Sequence, residues 1–194
     1  SVRLGWAMPG QDDVHATYPL ASCPCDDRNL TFFITQDPAD ALSAHLFADD
    51  IKPGDAITVL GPSGEFVLAD GNRPLVFAAC DGGFAPIKSL IEHALSQDAA
   101  PSLSLFWLAT QSDGHFASNQ CRAWSEALDQ FEYEQVTHPD MVVGAQQIAH
   151  AMRADLFDID CDFYLAGRSE FVATLRDELR AAGVAQAQIV TQVV

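Results

Sequence analysis

The stretch CDGGFAPIKSLIEHAL, residues 80–95, is the strongest indication of the fold in this sequence. It follows the apolar run PLVFAAC (74–80), which is typical of a buried strand, and it continues into apolar residues at helical spacing. Gly82 and Gly83 at the junction permit a tight turn, and Pro86 suits the first turn of a helix. The stretch therefore predicts a strand, a turn and a helix over 86–97.

The same alternation continues to the end of the chain. Because strands that alternate with helices are joined by right-handed crossovers, this pattern predicts a five-stranded parallel sheet with helices on both faces. After 74–80, the predicted strands are 103–109, 131–137, 161–167 and 188–194, and the helices after 86–97 are 118–130, 144–157 and 169–183.

The residues before Pro74 have a different character. LTFFITQ (30–36) and AITVL (56–60) predict strands, and a short helix is expected within 39–50. The chain is therefore predicted to be α/β plus β, with a β domain at 1–72 and an α/β domain at 73–194.

Composition excludes several classes of protein. Apolar residues make up 48% of the 194, so a packed core is expected, and the net charge of −17 argues against nucleic acid as a partner. No apolar run reaches the roughly 18 residues that a membrane span needs. The first residues lack the layout of a signal peptide, and we expect a cytoplasmic protein without a membrane span.

The five cysteines form an odd, scattered set, which is typical of a reduced intracellular protein. Cys23 and Cys25 are close enough in sequence to suggest a metal site. However, no second pair follows at ligand spacing, so no metal is predicted.

The glycine turn has a chemical interpretation. In parallel sheets, ligands bind beyond the carboxyl ends of the strands, and the free N–H groups at a helix start attract phosphate. Gly82 and Gly83 would then cradle a nucleotide pyrophosphate. The alternative is that two glycines simply end a strand, since the stretch is neither G-x-G-x-x-G nor a Walker loop.

Four segments in order resemble the ferredoxin–NADP reductase superfamily. Tyr18-Pro19-Leu20-Ala21-Ser22 is similar to its flavin motif, and residues 43–68 to its flavin-phosphate helix and following strand. Residues 80–95 stand where the family has Gly-Gly-Thr-Gly-Ile-Ala-Pro, and YLAGRSEFVATLRDEL (164–179) is similar to the segment that faces nicotinamide. The match runs from about residue 15 to the end.

The resemblance implies a partial antiparallel β-barrel that binds flavin, followed by an NAD(P)-binding domain. It implies an NAD(P)H-dependent flavoprotein reductase with FAD, which passes electrons to an iron–sulfur or haem partner. That partner could be a ferredoxin-like domain on the same longer polypeptide. Since residues 109–114 contain no cation for a 2′-phosphate, NADH is favoured over NADPH.

The resemblance also assigns cofactor-binding residues. Simpler interpretations stay open: Tyr18 as a buried strand tyrosine, Ser43 as a helix serine, Phe171 as core and Arg168 as a surface residue. On the flavin side the assigned residues are Tyr18, Pro19, Leu20, Ser22 and Ser43; on the nucleotide side they are Gly82, Gly83, Ala85, Pro86, Thr110, Gly167, Arg168 and Phe171.

The chain departs from the family pattern at several positions. Ala16 replaces the motif arginine, Pro19 replaces a serine, and Asp40 replaces a glycine near the flavin phosphates. Cys80 and Asp81 replace Gly-Gly. These changes support an alternative, a degenerate reductase-like subunit with a binding or regulatory role. Residues 1–72 are also few for a closed barrel, so we expect its first strands to lie upstream.

Overall fold

The computed structural model describes residues 1–7, 13–26, 28–155 and 160–194. Two sheets organise them. The strands are β1 (Val2–Trp6), β2 (Val14–Tyr18), β3 (Ile57–Leu60), β4 (Leu75–Cys80), β5 (Leu103–Ala109), β6 (Phe131–Thr137), β7 (Asp162–Gly167) and β8 (Ile189–Val193), and the α-helices are α1 (Ala41–Phe47), α2 (Phe84–Gln97), α3 (Ser118–Ala127), α4 (Met141–Asp155) and α5 (Ser169–Ala181).

The second sheet is parallel, and its five strands lie in the order β6-β5-β4-β7-β8. Leu75 of β4 pairs with Leu103 on one side and with Asp162 on the other. The direction of winding therefore reverses between β4 and β7, which confirms the predicted α/β architecture and places a crevice at that point.

Strand β4 shows why the apolar run forms the centre of this sheet. All six of its residues are buried. Val76, Ala78 and Cys80 face the core cluster that contains residues of α4 and α5. Leu75, Phe77 and Ala79 face the cluster that contains residues of α2 and α3. A strand covered on both faces needs apolar residues at every position, as the sequence has.

The first sheet is antiparallel, in the order β2-β1-β3, and does not close into a barrel. Its core contains Val2, Leu4, Tyr18 and Leu42. Strand β3 is exposed along its length, including the apolar side chains of Ile57, Val59 and Leu60. The predicted antiparallel β region is thus confirmed as a three-stranded, open sheet.

Some predicted elements were wrong in detail. Residues 30–36 do not form a strand, because the segment does not join a ladder, although Phe32 and Phe33 pack into different clusters as alternation requires. Strands β1 and β2 were not predicted. Helix α4 begins at Met141 rather than 144 because the Asp140 carboxylate accepts the N–H groups of Val142 and Val143. The predicted end of that helix, at 156–157, lies outside the described residues.

The proposed division between residues 72 and 73 stays a prediction. Among the described residues, no helix combines the length and the apolar character needed to cross a membrane.

Candidate functional site: a central cavity and a sheet-edge crevice

The carboxyl edge of the parallel sheet gathers several of the predicted nucleotide-binding residues. The sheet-edge crevice consists of Asp81, Gly82, Gly83, Thr110 and Gly167, which follow or end strands β4, β5 and β7. Arg168 comes next to Gly167 and is the N-cap residue of α5. The topology therefore brings these residues together, as the parallel arrangement predicts.

The two glycines of the turn have different surroundings. A Cβ on Gly83 would lie 2.2 Å from the carbonyl oxygen of Ala166, so only glycine lets the turn pack against β7. A Cβ on Gly82 would meet nothing within 4 Å, and Gly82 is partly exposed. Gly82 is thus the glycine that faces open space, while Gly83 serves the packing of the sheet.

Gly167 completes this close approach. Its φ of +154° lies in a region that L side chains rarely adopt, and an added Cβ would lie 2.8 Å from the Cβ of Cys80. The ends of β4 and β7 therefore pack backbone against backbone beneath the crevice.

Asp81 is paired within the chain. Its carboxylate accepts hydrogen bonds from the N–H and the hydroxyl of Thr110, both at 2.8 Å. Its carbonyl oxygen accepts the indole N–H of Trp107 at 3.3 Å. The backbone N–H and the hydroxyl of Thr110, a residue assigned to the nucleotide side, are consequently already bound to a carboxylate.

The remaining predicted residues of the nucleotide side lie deeper or more outward. Ala85 and Phe171 are fully buried, which places them behind the crevice wall. Arg168 is exposed. Burial raises the pKa of the Cys80 thiol to about 12, and the adjacent Asp81 adds to the rise while Arg168 opposes it. Cys80 is therefore protonated at neutral pH.

The front corner, formed by Tyr18, Asp40 and Ser43, contains two of the residues assigned to flavin binding, Tyr18 and Ser43. The Tyr18 hydroxyl donates to Asp40 Oδ2 at 2.5 Å, and Asp40 Oδ1 accepts the N–H groups of Leu42 and Ser43 at 3.0 and 3.1 Å. Burial, followed by the hydrogen bond to Asp40, raises the pKa of Tyr18. Asp40 therefore places a negative charge at the N-terminus of α1.

Ser43 is also occupied within the chain. It is fully buried, its hydroxyl donates to the Thr35 carbonyl at 2.9 Å, and it accepts the Asp37 N–H at 3.0 Å. Neither Tyr18 nor Ser43 has a polar group turned to open space in this structure. Their assignment as flavin-binding residues stays a prediction.

A cavity of about 650 Å³ lies between helix α2 and the loop segments that follow β2 and β3. Four predicted residues line it: Pro19, Leu20 and Ser22 from the flavin motif and Pro86 from the start of α2. We call it the central cavity. Its size is within the range of small-molecule sites. The other lining residues are Ser1, Cys23, Pro24, Asp26, Leu30, Pro62, Ser63, Gly64, Phe66, Val67, Leu68, Ser89, Leu90, His93 and Gln192.

Helix α2 holds one wall of this cavity in place. The Lys88 ammonium, which is buried, donates to the Ala21 carbonyl at 3.0 Å and to Glu92 Oε1 at 2.6 Å. The Ser89 hydroxyl donates to the Ser22 carbonyl at 2.7 Å. Two consecutive carbonyls of the flavin-motif loop are thus bound to two consecutive residues of α2, which fixes the loop against the parallel-sheet half.

His93 lines the cavity and carries an unpaired polar atom. Its Nδ1 is buried and has no hydrogen-bond partner among the described residues. A buried polar nitrogen without a partner is unfavourable. Because the atom itself is buried, the His93 ring must turn towards the cavity before a ligand can hydrogen-bond to it. Ser89 and His93 were not predicted as site residues. Their spacing of three and seven positions from Pro86, along one face of α2, is the pattern that indicates them.

The lining residues fit the ring of a flavin better than its phosphates. The walls are largely apolar, which suits a flat aromatic ring system. No lysine or arginine side chain is among the described residues that line the cavity. The cation that a phosphate would need is therefore not provided there, and Ala16 lies where the motif arginine was expected.

An aromatic cluster next to the crevice was also not predicted. The rings of Phe84 and Trp107 stack with centroids 4.0 Å apart, and Phe116 packs edge-on against both. Phe116 is 53% exposed. The cluster therefore presents one aromatic side chain to solvent near the turn.

Cys23 and Cys25 form a disulfide, which corrects the expectation of a fully reduced protein. Among the described parts of the chain, no group of three metal-binding side chains comes together. The other three cysteines are buried.

Proteins similar to this chain in sequence include an electron transfer component and a reductase. The chain is 26% identical to the toluate 1,2-dioxygenase electron transfer component of Pseudomonas putida, over 91% of this chain and 53% of that protein. It is 22% identical to the CDP-6-deoxy-L-threo-D-glycero-4-hexulose-3-dehydrase reductase of Yersinia pestis, over 88% of this chain and 52% of that protein. No protein-family model matches the sequence.

The structure superimposes on the ferredoxin NADP+ reductase from Neisseria gonorrhoeae with bound FAD and NADP. The TM-score is 0.81 at 20% identity, over 99% of this chain and 84% of that one. The chain has the ferredoxin–NADP reductase fold. The resemblance inferred from the four motifs is confirmed. This reductase-fold chain spans about half the length of the curated relatives named above.

Proposed function

We propose that this chain is an NAD(P)H-dependent flavoprotein reductase module whose flavin ring lies in the central cavity. The observation that carries the proposal is the convergence of two sequence motifs on one cavity. Pro19, Leu20 and Ser22 come from the flavin motif, and Pro86 comes from the nucleotide motif. The similarity to an electron transfer component and to a reductase supports the same conclusion.

Each part of the chain has a stated task in this proposal. A bound FAD would supply hydride acceptance and the transfer of single electrons. The apolar walls would exclude water from the ring, and His93 would offer it a hydrogen bond. The sheet-edge crevice would hold the pyridine nucleotide, with Gly82 giving the closest backbone approach.

We further propose an iron–sulfur or haem protein as the electron acceptor, such as a ferredoxin-like domain on the same polypeptide. The net charge of −17 favours a partner with a basic contact surface. NADH is favoured over NADPH, because residues 109–114 contain no cation. Use of a pyridine nucleotide and three buried thiols support a cytoplasmic location.

A second candidate function has observations of its own. Asp40 and Asp81 are carboxylates fully engaged where the resemblance places nucleotide groups. These internal pairings favour a reductase-like subunit that binds or regulates a partner without holding flavin tightly.

Anaerobic titration separates the two functions. FAD is added to the purified chain while flavin fluorescence is followed, and NADH is then added while the flavin absorbance is recorded. We expect saturable binding and bleaching by NADH. A chain that takes up neither FAD nor hydride from NADH would favour the second function.

A matched pair of variants locates the ring. Val67 lines the cavity and is 60% exposed, whereas Val193 is 61% exposed and does not line it. Val67→Trp should weaken FAD binding at least about tenfold by filling the cavity, and Val193→Trp should leave it unchanged. Equal effects of the two substitutions would place the flavin elsewhere.

A further inference from the structure

The disulfide between Cys23 and Cys25 lies on the wall of the central cavity. Cys23 and Pro24 line the cavity, and Cys23 is buried while Cys25 is exposed. Ser22, the residue before the pair, is bound through its carbonyl to Ser89 of α2. The pair is therefore held at a fixed place, with one sulfur towards the cavity wall and the other within reach of solvent.

The spacing of this pair argues against a purely stabilising role. The bonded residues are separated by two positions, so the bond closes a very small loop. Because the entropy removed from the unfolded chain grows with loop length, such a bond stabilises the fold little. Disulfides of proteins that work in reducing compartments are usually catalytic or redox-sensing.

The local hydrogen bonding suits reduction of the pair. The Cys25 N–H donates to Cys23 Sγ at 3.1 Å. A backbone donor at that distance favours the thiolate of Cys23, and a sulfur with a stabilised thiolate is the better leaving group. Cys25 is the exposed residue of the pair, so we take its sulfur as the one that an incoming thiolate attacks.

We propose that Cys23 and Cys25 form a thiol–disulfide exchange site whose substrate is a dithiol. One thiolate of the dithiol attacks Cys25 Sγ, the bond between the two cysteines breaks, and Cys23 leaves as a thiolate that then takes a proton. The second thiolate of the reductant attacks the mixed disulfide and releases Cys25. The two electrons come from the dithiol, which leaves as a cyclic disulfide.

The other cysteines do not interfere with a test of this proposal. Cys80, Cys121 and Cys161 are buried. Burial raises the pKa of Cys80 and of Cys121 to about 12, so their thiols are poorly reactive in the folded chain. Thiols labelled under native conditions therefore report on the pair.

The experiment uses the air-oxidised full chain and mixtures of reduced and oxidised dithiothreitol. The folded protein is equilibrated, acid-quenched, separated from dithiothreitol at low pH, and returned to native buffer that contains excess N-ethylmaleimide; intact mass and peptide mapping then count the modified cysteines. We expect two labels, at Cys23 and Cys25, to appear together and to disappear when the ratio is reversed. Reduction by dithiothreitol should be at least about fivefold faster in the folded chain than in urea, because the fold holds the Cys25 N–H against Cys23 Sγ and so stabilises the leaving thiolate.

Two variants serve as controls. Cys25→Ser should show one label in every mixture, and Cys121→Ser should behave as the wild type. The proposal is overturned if the air-oxidised chain already carries both labels, if the pair stays unlabelled in excess dithiothreitol, or if the folded chain is reduced more slowly than the unfolded one. FAD and NADH are absent from this assay, so failure of the proposed reductase function leaves its outcome unaffected.

Discussion

The central cavity differs from the sheet-edge crevice and the front corner in how its polar groups are paired. In the sheet-edge crevice, Asp81 takes both donors of Thr110, and in the front corner Asp40 takes the Tyr18 hydroxyl and two N–H groups. In the cavity, the Nδ1 of His93 has no partner among the described residues. The carboxylates of Asp40 and Asp81 thus bind donors of the chain itself, whereas the cavity is lined mainly by apolar groups.

This difference indicates where binding of an external ligand is most favourable. A ligand phosphate entering either corner must displace or face a carboxylate, which is electrostatically unfavourable. A ring entering the cavity buries apolar surface and can pair with His93, and both effects are favourable.

The largest effect on stability is expected at the glycine turn, where Gly83 serves packing and Gly82 faces open space. Gly83→Ala should lower the free energy of unfolding by about 3 kcal/mol, because the new methyl group would overlap the Ala166 carbonyl. Gly82→Ala is the matched control and should stay within about 0.5 kcal/mol of the wild type, since nothing lies nearby. Urea denaturation measures both. Equal destabilisation by the two substitutions would show that both glycines serve packing.

The second prediction removes the charge of the front corner. Asp40→Asn keeps a side chain able to cap α1 but is neutral, so FAD affinity relative to riboflavin should rise about tenfold. Riboflavin lacks phosphate and is the internal control for the ring. Fluorescence titration of both flavins gives the ratio, and an unchanged ratio would mean that the phosphates lie away from Asp40.

The third prediction concerns the unpaired nitrogen of the cavity. His93→Leu should weaken flavin binding about fivefold through loss of one hydrogen bond, and it should not lower the stability of the ligand-free chain, because a buried unpaired atom is removed. His150→Leu, on the exposed face of α4, should change neither quantity. A loss of stability in His93→Leu without a loss of affinity would assign His93 to packing.

The smallest effect is a pH dependence in the front corner. Burial and Asp40 raise the pKa of Tyr18 above its ordinary value of 10.0. Above pH 10 the unfolded chain therefore loses this proton before the folded chain does, so stability is present below that pH and falls as pH rises further. Tyr18→Phe should give a shallower fall in urea-unfolding experiments between pH 9 and 11, about one unit on either side of the ordinary tyrosine pKa. Parallel curves for the two proteins would contradict the raised pKa.

Sequence patterns predicted the parallel-sheet half well and the first half less well. Strand β4 and helix α2 carry periodicities that tertiary packing reinforces, because β4 is buried on both faces and α2 on its apolar face. Residues 30–36 alternate correctly but pair with no strand in the part of the chain that the structure describes, and alternation alone does not reveal whether a partner strand exists.

The sequence indicated four residues of the cavity but not how the polar groups of the site pair, and the assignment of these residues to cofactors stays a prediction. The motif residues Pro19, Leu20, Ser22 and Pro86 do line one cavity. The engagement of Asp81 with Thr110 joins residues 29 positions apart, and the bond from Lys88 to Ala21 joins residues 67 apart. Hydrogen bonds at such separations depend on the folded path of the chain, so the printed sequence alone does not show them.

The burial of Lys88 has a practical consequence. The chain has two lysines, and Lys52 is exposed whereas Lys88 is enclosed between helix α2 and the flavin-motif loop. An amine-reactive dye would therefore attach to the Lys52 side chain and spare that of Lys88 as long as loop and helix stay together. The rate at which Lys88 is acetylated would then measure how often the flavin-motif loop separates from helix α2.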